Sequence, residues 1–453
     1  MTESQERSLR SHLFPGDGLE AVALLLCGRR AGADRHVFCV QHVVEIPYDE
    51  CDRSAGRVTW PTFYVDRLLD EAYGRGMAVV KIHGHPGGFK QFSAVDDFSD
   101  RRLFSAVSSL MDDGLRHASV LMMPDGELLG RVLDENGEPA DEIVSLMVVG
   151  DEIVLWPRRE LGLVPAYALR HAQAFGKGTA GILRDLSIAV VGCSGTGSIV
   201  VEQLARLGVG RIVLVDHDIV EEKNLNRILN SGKEDAYLRR AKVEVLASAI
   251  ARMGLGQEVV PLHQNLIDVS TLNSVAECDV VFGCMDGVEG RHWLNRLSTF
   301  YSLPYFDVGV RLEADKKGGI DHISGAAHYI QPGRSSLLSR GVYTMSRVEA
   351  EEMARTNPEM YRRQVDEGYL KGIDENRPAV VSINMLLASI VVNDFLSRLH
   401  PYRNLADGEY AYIGMNLSEM QIMTEPESEP CQLLERHVGR GDIQPYLDRP
   451  LSA

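Results

Sequence analysis

The stretch that most constrains the fold is residues 186–227, which reads LSIAVVGCSGTGSIVVEQLARLGVGRIVLVDHDIVEEKNLNR. A short apolar run is followed by a glycine cluster and then by an apolar-periodic segment at residues 198–207. The cluster consists of Gly192, Gly195 and Gly197. This order predicts a strand, a loop and a helix, with backbone N–H groups at the helix N-terminus facing a phosphate. We therefore expect a nucleotide site in an α/β fold.

A second apolar run, at residues 212–215, ends in Asp216, where nucleotide folds place a carboxylate for the ribose hydroxyls. Glycine loops of this kind bind NAD, FAD and S-adenosylmethionine as readily as ATP. The residues beyond Asp216 narrow the choice, because their polar and cationic groups suit a triphosphate. They are Asp218, Asn224, Asn226 and Arg227. ATP is therefore the expected ligand.

The same stretch resembles the ThiF/MoeB/HesA superfamily, the adenylating fold shared with ubiquitin-activating enzymes, whose signature runs GxxGxG and then VDxDxVxxxNLNR. The resemblance implies a Rossmann-like doubly wound domain that binds ATP through the glycines, the two aspartates, Asn224 and Arg227. It also implies that Lys242, at a predicted helix start, contacts the phosphates. Asp286, at the end of a predicted buried strand, is expected to hold Mg²⁺, because a carboxylate beside polyphosphate is repulsive without a cation.

The leading helix, in RHAQAFGKGTAGILRDL, is similar to the lead-in of the same superfamily. The resemblance implies that Arg170 reaches across a dimer interface to the ATP of the partner subunit. The alternative is that Arg170 is an ordinary exposed helix arginine.

Composition limits the classes of partner and compartment. The 64 acidic and 47 basic residues give a formal net charge of −17, which argues against nonspecific nucleic-acid or anionic-membrane binding. The seven cysteines are irregularly spaced and no apolar signal segment opens the chain, so a reducing cytoplasm is expected. No apolar run is expected to reach the length that spans a bilayer. Residues 377–399 are predicted to form a long buried helix.

A second cluster of reactive residues lies in the segment HGHPGGFKQFSAVD, after a predicted strand at residues 77–82. His83 and His85 point to the same side of an extended segment, and Asp96 at a predicted helix start can complete a three-ligand set. Two imidazoles and one carboxylate suit catalytic zinc, with a fourth position left for water. The alternative is a pair of surface histidines in a Gly-rich loop.

This segment resembles the JAMM (MPN+/JAB) metalloprotease motif, HxHPx(6–7)SxxD. The resemblance implies a zinc peptidase in which Ser93 helps to polarise the tetrahedral oxyanion and a glutamate acts as general base. The resemblance makes Glu20 the expected base, because it stands just before the apolar run at residues 21–26, as the family glutamate stands before its own strand. Glu45 and Glu50 are reserve candidates.

The cysteines bear on whether a thioester forms. No cysteine occurs between Gly318 and Ala379, the region in which many relatives carry a transfer cysteine. Cys431, in the stretch TEPESEPCQLLER, is the exposed candidate for a thioester. Cys193 and Cys284 are expected to be buried, the first beside the phosphate loop and the second on a strand.

Relatives in the adenylating superfamily also hold a structural zinc through two CxxC pairs. In this chain Ser336 and Ser339 stand at the first pair of positions. The second pair keeps Cys431 but has Leu434 in the other place. One thiolate cannot hold Zn²⁺, so we expect no four-cysteine zinc site.

The two resemblances divide the chain into three parts. They imply a JAB/MPN-like α/β domain at residues 1–156, a linker and leading helix at 157–185, and an adenylation domain with crossover loop and C-terminal tail at 186–453. Fusions of this kind are similar to those in bacterial operons that carry ubiquitin-like proteins. The expected partners are a ubiquitin-like protein, a conjugating-enzyme-like protein and a second copy of the chain.

The implied function is a bifunctional enzyme of ubiquitin-like modification. One half adenylates the C-terminal glycine of a ubiquitin-like protein, and the other cleaves beside that C-terminus. The alternative is an enzyme that activates and trims a sulfur-carrier protein for cofactor or natural-product synthesis. A catalytically inactive binding scaffold and a nucleotide-dependent oxidoreductase are further alternatives. The intact ligand set opposes the scaffold, and Arg227, Lys242 and Asp286 have no role in the oxidoreductase.

Overall fold

The structure is a computed structural model, and it describes residues 1–32, 35–156, 164–314, 319–367 and 380–448. Part of the predicted linker, at residues 157–163, and part of the predicted crossover loop, at residues 368–379, therefore lie outside the described residues.

The described residues fall into two units. The first contains residues from 1–159, together with 300–302 and 437–448, and the second contains the remainder up to residue 436. The predicted adenylation domain ran to residue 453. Residues 437–448 group with the first unit instead, because they pack against its sheet.

The first unit combines strands and helices in an α/β arrangement. In chain order its strands are β1 (Val22–Ala31), β2 (His36–Glu45), β3 (Asp52–Ser54), β4 (Arg57–Thr59), β5 (Ala78–Gly84), β6 (His117–Met122), β7 (Leu128–Leu133), β8 (Pro139–Glu142), β9 (Leu146–Val149) and β10 (Ile153–Trp156). Its helices are α1 (Glu3–Leu13), α2 (Phe63–Ala72) and α3 (Ala94–Met111). The main sheet has the order β2-β1-β5-β6-β7-β8, in which β5 and β6 run parallel.

This sheet is covered on both faces. Successive residues of β1 point to opposite sides. Leu24 and Leu26 pack with α2 and α3 in one core cluster, whereas Ala23 and Leu25 pack with α1 in another. Burial on both sides explains why β1 is a nearly uninterrupted apolar run. Because β1 pairs with β5 in antiparallel register, the residues before β1 lie beside the end of β5.

The C-terminal segment 437–448 is built into the first unit. Gly28 N donates to Gly439 O at 3.0 Å, and Asp442 N donates to Arg29 O at 2.7 Å. A side chain at Gly28 would lie 2.3 Å from the Gly439 carbonyl oxygen, so this close approach requires glycine. Ile443 joins the core cluster beneath α2 and α3. The segment therefore completes the core of this unit.

Truncation of the full chain after Arg436 is expected to destabilise the first unit by about 3–6 kcal/mol. The loss follows from two buried side chains, Ile443 and Leu447, at about 1.5–3 kcal/mol each. Urea unfolding followed by circular dichroism measures the change. A shorter truncation after Asp448 keeps both side chains and is the control. Equal unfolding midpoints for the two truncations would show that the segment is not part of the core.

The second unit carries the larger sheet. Its strands are β11 (Ser187–Val191), β12 (Arg211–Val215), β13 (Glu258–Leu262), β14 (Val280–Gly283), β15 (Tyr305–Ala314), β16 (Ile320–Ile330), β17 (Tyr412–Asn416) and β18 (Gln421–Glu425). The helices from here on are α4 (Leu169–Asp185), α5 (Gly195–Leu207), α6 (Lys233–Tyr237), α7 (Lys242–Met253), α8 (Val269–Ala276), α9 (Val288–Tyr301), α10 (Met345–Thr356), α11 (Pro358–Asp366) and α12 (Val381–Leu399).

The sheet order is β13-β12-β11-β14-β15-β16-β17-β18, with the first five strands parallel and the rest antiparallel. The order reverses between β11 and β14, and such a switch point opens a crevice at the carboxyl ends of the strands. The predicted α/β fold with a Rossmann-like doubly wound sheet is confirmed. Two details differ from expectation: α5 begins at Gly195 rather than residue 198, and β14 ends at Gly283, three residues before Asp286.

Helix α12 is the described part of the helix predicted at residues 377–399. By length and composition alone it could cross a membrane, contrary to the expectation that no apolar run reaches that length. However, 61% of its apolar window is buried inside the protein. A core helix meets the same criteria, and α12 packs against α5 and β15.

Candidate functional sites

The glycine loop joins β11 to α5 at the switch point. Gly192 has a φ of +92°, a conformation that side chains disfavour. A side chain at Gly197 would lie 1.8 Å from the Gly192 carbonyl oxygen, and one at Gly195 would lie 2.2 Å from Nδ2 of Asn384 on α12. The three glycines therefore keep the loop tight and leave the N-terminus of α5 open to an anion.

The glycine loop is hydrogen-bonded to Asp216 at the end of β12, and Asp216 is in turn connected to Asp218 and Lys242. Asp216 accepts hydrogen bonds from Cys193 N at 2.7 Å and from Asp218 N at 2.8 Å. Lys242, which is buried at the start of α7, donates to Asp218 Oδ2 at 2.6 Å and lies 3.8 Å from Asp216 Oδ1. Burial alone would raise the pKa of Asp218, but Lys242 holds it below its ordinary value. The predicted ribose carboxylate and the predicted phosphate lysine thus lie together.

The oxygen and nitrogen atoms of Asp216, His217 and Asp218 lie within 4.8 Å of one another, a spacing that a metal ion could bridge. Lys242 already neutralises the two carboxylates from within the cluster. Ammonium and metal compete for the same oxygens, so this group fits a nucleotide-binding edge better than a second metal site.

The polar residues that follow β12 have two different positions. The Arg227 side chain lies against the glycine loop, because a side chain at Gly195 would come within 3.1 Å of its Cδ atom. Asn224 is buried, and its amide oxygen accepts a hydrogen bond from Glu221 N at 3.0 Å. Asn224 therefore shapes the turn that carries Arg227. The contact of Asn224 with ATP, which the resemblance implies, stays a prediction.

Asp286 and Arg170 are both exposed. Asp286 lies in the loop between β14 and α9, at the carboxyl edge of the sheet where Mg²⁺ was expected. Arg170 lies on α4 and donates to Gln173 Oε1 at 3.1 Å within the same helix. Its predicted role across a dimer interface stays a prediction.

Glu351 of α10 is a residue of this region that sequence reasoning missed. Its carboxylate accepts hydrogen bonds from Val288 N at 2.7 Å and Glu289 N at 2.9 Å, at the start of α9. A negative charge at a helix N-terminus is favourable. No local pattern could indicate the contact, because the partners are more than sixty positions apart along the chain.

The cysteines correct two expectations. Cys431 is only 3% exposed, because its N–H donates to Arg334 O at 3.0 Å and draws it inward, so the prediction of an exposed thiol is wrong. Cys284 is half-buried rather than a core residue, since it follows β14 instead of lying on it. Cys193 is buried as expected, and burial raises the pKa of its thiol well above the usual value.

The two segments considered for a structural zinc site are joined by other contacts. Ser336 N donates to Ser339 Oγ at 2.9 Å, and Ser339 N donates to Ser336 Oγ at 3.2 Å. The next residue, Arg340, forms a buried ion pair with Glu427 at 3.1 Å, and Glu427 also accepts from the Ser335 hydroxyl. Two hydroxyls, one thiol and a leucine do not fit a four-cysteine zinc site. The ion pair joins the two segments instead.

Glu427→Leu is expected to lower the free energy of unfolding by about 3–5 kcal/mol, because it leaves the buried Arg340 charge unpaired. The double variant Arg340→Leu/Glu427→Leu removes both charges and should recover most of that loss. Glu367→Leu, at the exposed partner of Arg363, is the control and should change stability by less than about 1 kcal/mol. Denaturant unfolding measures all three. A double variant no more stable than the single one would contradict the role of the ion pair.

In the first unit, the three predicted metal ligands lie together. His83 near the end of β5, His85 just beyond it and Asp96 in the first turn of α3 place their ligand atoms within 4.8 Å of one another. His83 Nε2 lies 2.9 Å from Asp96 Oδ1, and His85 Nε2 lies 3.7 Å from Asp96 Oδ2. All three are buried, which opposes the alternative of surface histidines.

The surroundings of these side chains fit a metal ion. His85 Nδ1 lies 2.6 Å from Phe89 O, which fixes the N–H on that nitrogen and leaves Nε2 as a ligand. Among the described residues, neither ring nitrogen of the buried His83 has an aligned hydrogen-bond partner. Two open imidazole nitrogens and one carboxylate are a donor set that suits Zn²⁺.

Ser93 lies at the N-cap of α3. Its hydroxyl and its N–H both donate to Asp96 Oδ2 at 2.7 Å, and Asp96 N donates back to Ser93 Oγ at 3.2 Å. These contacts orient the carboxylate. The predicted role of Ser93 at the oxyanion stays a prediction.

Glu20 is the glutamate that lies at this cluster. Its Oε1 is 4.0 Å from His85 Nε2, and it lines the same cleft as His83 and Asp96. Burial raises the pKa of Glu20 to about 6, which suits a general base near neutral pH. The reserve candidates Glu45 and Glu50 are exposed and do not line the cleft.

Comparison with known proteins places the second unit in a family. A model of the ThiF family matches residues 168–433, which is more than half of the chain. The chain belongs to the ThiF family. The matched range begins after His83, His85 and Asp96, so the family match does not include the predicted metal site.

Two curated relatives of this ThiF-family chain illustrate the range of similarity. It is 39% identical over 113 residues to adenylyltransferase and sulfurtransferase MOCS3 of Sus scrofa, which covers 25% of this chain and 24% of that protein. It is 25% identical over 246 residues to ubiquitin-like modifier-activating enzyme 5 of Culex quinquefasciatus, covering 52% and 54%. The chain thus spans about half or less of these relatives.

A solved structure of E. coli MccB with AMPCPP and MccA is also similar. It is 18% identical, with a TM-score of 0.47, and the similarity covers 60% of this chain and 75% of that one.

Proposed function

We propose that this chain is a bifunctional enzyme that prepares and activates a ubiquitin-like protein. The observation that carries the proposal is the cluster at the switch point of the second unit, where Lys242 and Asp216 lie at the glycine loop with Arg227 packed against it. The ThiF family and the names of the curated relatives, an adenylyltransferase and a modifier-activating enzyme, support ATP as the co-substrate.

In the adenylation step, a C-terminal carboxylate oxygen of the carrier protein attacks the α-phosphorus of ATP in line. A new bond forms between that carboxylate oxygen and the α-phosphorus. The bond between the α-phosphorus and the oxygen that bridges to the β-phosphate breaks, and pyrophosphate leaves with the electron pair. Lys242 and Arg227 supply positive charge to the phosphates as this charge develops. Asp286 would hold Mg²⁺, which neutralises part of the triphosphate charge. Arg170 of a second copy would add a further cation.

In the second proposed activity, the first unit hydrolyses the peptide or isopeptide bond beside the ubiquitin-like C-terminus. Zinc held by His83, His85 and Asp96 would polarise the scissile carbonyl and make a water molecule more acidic. Glu20 would accept a proton from the attacking water as the water oxygen bonds to the scissile carbonyl carbon, and would pass it to the amine nitrogen as the C–N bond breaks. The cleavage releases the same C-terminal carboxylate that the adenylation step consumes.

Glu20→Gln is expected to reduce peptidase turnover by about 100- to 10,000-fold while zinc content stays near that of the wild type, because the amide cannot accept a proton. Cleavage of a carrier protein extended at its C-terminus measures the first quantity, and metal analysis measures the second. Glu45→Gln is the matched control and should cleave normally. Normal cleavage by Glu20→Gln with loss in Glu45→Gln would transfer the role to Glu45.

The second candidate is activation of a sulfur-carrier protein. The similarity to MOCS3, named as a sulfurtransferase, and the buried position of Cys431 favour it, because a buried thiol is a poor acceptor for a thioester. Product analysis separates the two candidates. A carrier that gains a thiocarboxylate in the presence of a sulfur donor supports this second function, and an isopeptide-linked target supports the first.

A further inference from the structure

A largely buried network of charges lies beside the proposed metal cluster, on β5 and α3, which carry its ligands, and on β7. Lys81 on β5 contacts Asp100 on α3, and their side chains are only 4% and 0% exposed. Arg131 on β7 donates to Asp100 Oδ2 at 2.7 Å and to Asp97 Oδ1 at 2.5 Å. Lys81 also lines the cleft shared by Glu20 and the ligands. None of these four residues was singled out from the sequence.

Two pairs of side chains connect β5 to α3. One pair is His83 with Asp96, and the other is Lys81 with Asp100. Two residues of a strand advance by about 6.6 Å and four residues of a helix advance by about 6 Å. Both steps return a side chain to the same face. The second pair therefore fixes the position of α3 along β5, and with it the distance between the Asp96 carboxylate and His83.

Arg131 on β7 contacts the same helix at a second place. Its guanidinium lies 3.9 Å from the ring centre of Phe92, which immediately precedes the N-cap of α3. It therefore holds both the beginning of the helix and Asp100 one turn after Asp96. Ion pairs are directional and costly to bury, whereas apolar contacts tolerate small sliding movements. A network of this kind suits the fixing of one register.

We propose that Lys81, Asp100 and Arg131 are positioning residues that hold Asp96 in place for metal binding before the metal arrives. This inference rests on the proposed zinc site. Lys81→Met removes the pair of Lys81 with Asp100 but leaves Asp100 paired with Arg131, so the unit should fold. The expected consequence is zinc affinity that falls by about 10- to 100-fold, as for other groups that orient metal ligands.

The test is zinc affinity of the full-length chain, measured by competition with a chromophoric chelator below the unfolding transition of every variant. Lys81→Met and Asp100→Asn each remove the ion pair between these two residues, so each should weaken zinc binding. Because the interaction lost is the same, the effects of the two substitutions on zinc affinity should not add in the double variant. If a single variant fails to fold because it leaves one buried charge unpaired, the double variant still tests the pair, because it removes both charges. Arg30→Met, at a partly buried cation paired with Asp442, is the control and should bind zinc normally.

Zinc affinity within about twofold of the wild type in Lys81→Met and in the double variant would overturn the positioning role. Failure of the proposed zinc site itself gives a different result. In that case the wild type would bind no more zinc than the His83→Ala/His85→Ala variant. The two failures are therefore distinguishable in one set of titrations.

Discussion

Asp286→Ala is expected to reduce ATP–pyrophosphate exchange by about 100- to 1,000-fold, the effect of removing one group that stabilises developing charge. Asp286 is exposed in the loop after β14, the strand next to the glycine loop across the switch point. A carboxylate there would hold the Mg²⁺ that offsets the charge of the departing pyrophosphate. Because the side chain is exposed, the melting temperature should change little.

The matched control for this variant is Asp185→Ala. Asp185 is also an exposed carboxylate, at the end of α4, just before β11 and therefore at the opposite edge of the sheet. Exchange in Asp185→Ala should equal that of the wild type. If Asp286→Ala exchanged pyrophosphate at the wild-type rate, Asp286 would have no role in holding the cation.

His83→Ala/His85→Ala is expected to lose about one zinc ion per chain, because one remaining carboxylate cannot hold the metal. Cleavage of a C-terminally extended carrier should fall to background in the same variant. Inductively coupled plasma mass spectrometry of the dialysed protein gives the metal content. Pyrophosphate exchange measured on the same sample should be retained, which shows that the second unit is intact.

The control for the zinc measurement is His42→Ala, an exposed histidine 3.4 Å from Glu71. Its zinc content should equal that of the wild type. Unchanged zinc content in the double variant would remove the metal site and, with it, the peptidase half of the proposed function.

The parts of both sites that lie close together in sequence could be predicted. The glycine loop follows from the order of strand, glycines and helix, and His83, His85 and Asp96 lie within one strand, loop and helix start. Local structure brings residues that are close in sequence together, so their relative positions depend little on tertiary packing. Glu20 is far from these ligands in sequence; the resemblance to the JAMM motif indicated it from its place before β1, and the pairing of β1 with β5 brings it to the cluster.

The residues that the sequence did not indicate depend on packing between distant elements. The pair of Lys81 with Asp100 exists only when α3 lies in one register on β5, and Glu351 reaches α9 from a distant helix. Cys431 lies in a stretch whose composition favours exposure, yet a backbone hydrogen bond draws it inward. Composition alone could not place the C-terminal segment 437–448 in the first unit, because its apolar residues are few and widely spaced.

Carrier-dependent ATP–pyrophosphate exchange tests most directly whether the chain adenylates the C-terminus of a ubiquitin-like protein. The measurement uses the full-length chain, labelled pyrophosphate, ATP with Mg²⁺ and a ubiquitin-like protein that ends in glycine. Exchange should require the carrier and should disappear when the last glycine of the carrier is deleted. Exchange that proceeds equally without the carrier, or with the shortened one, would contradict the claim.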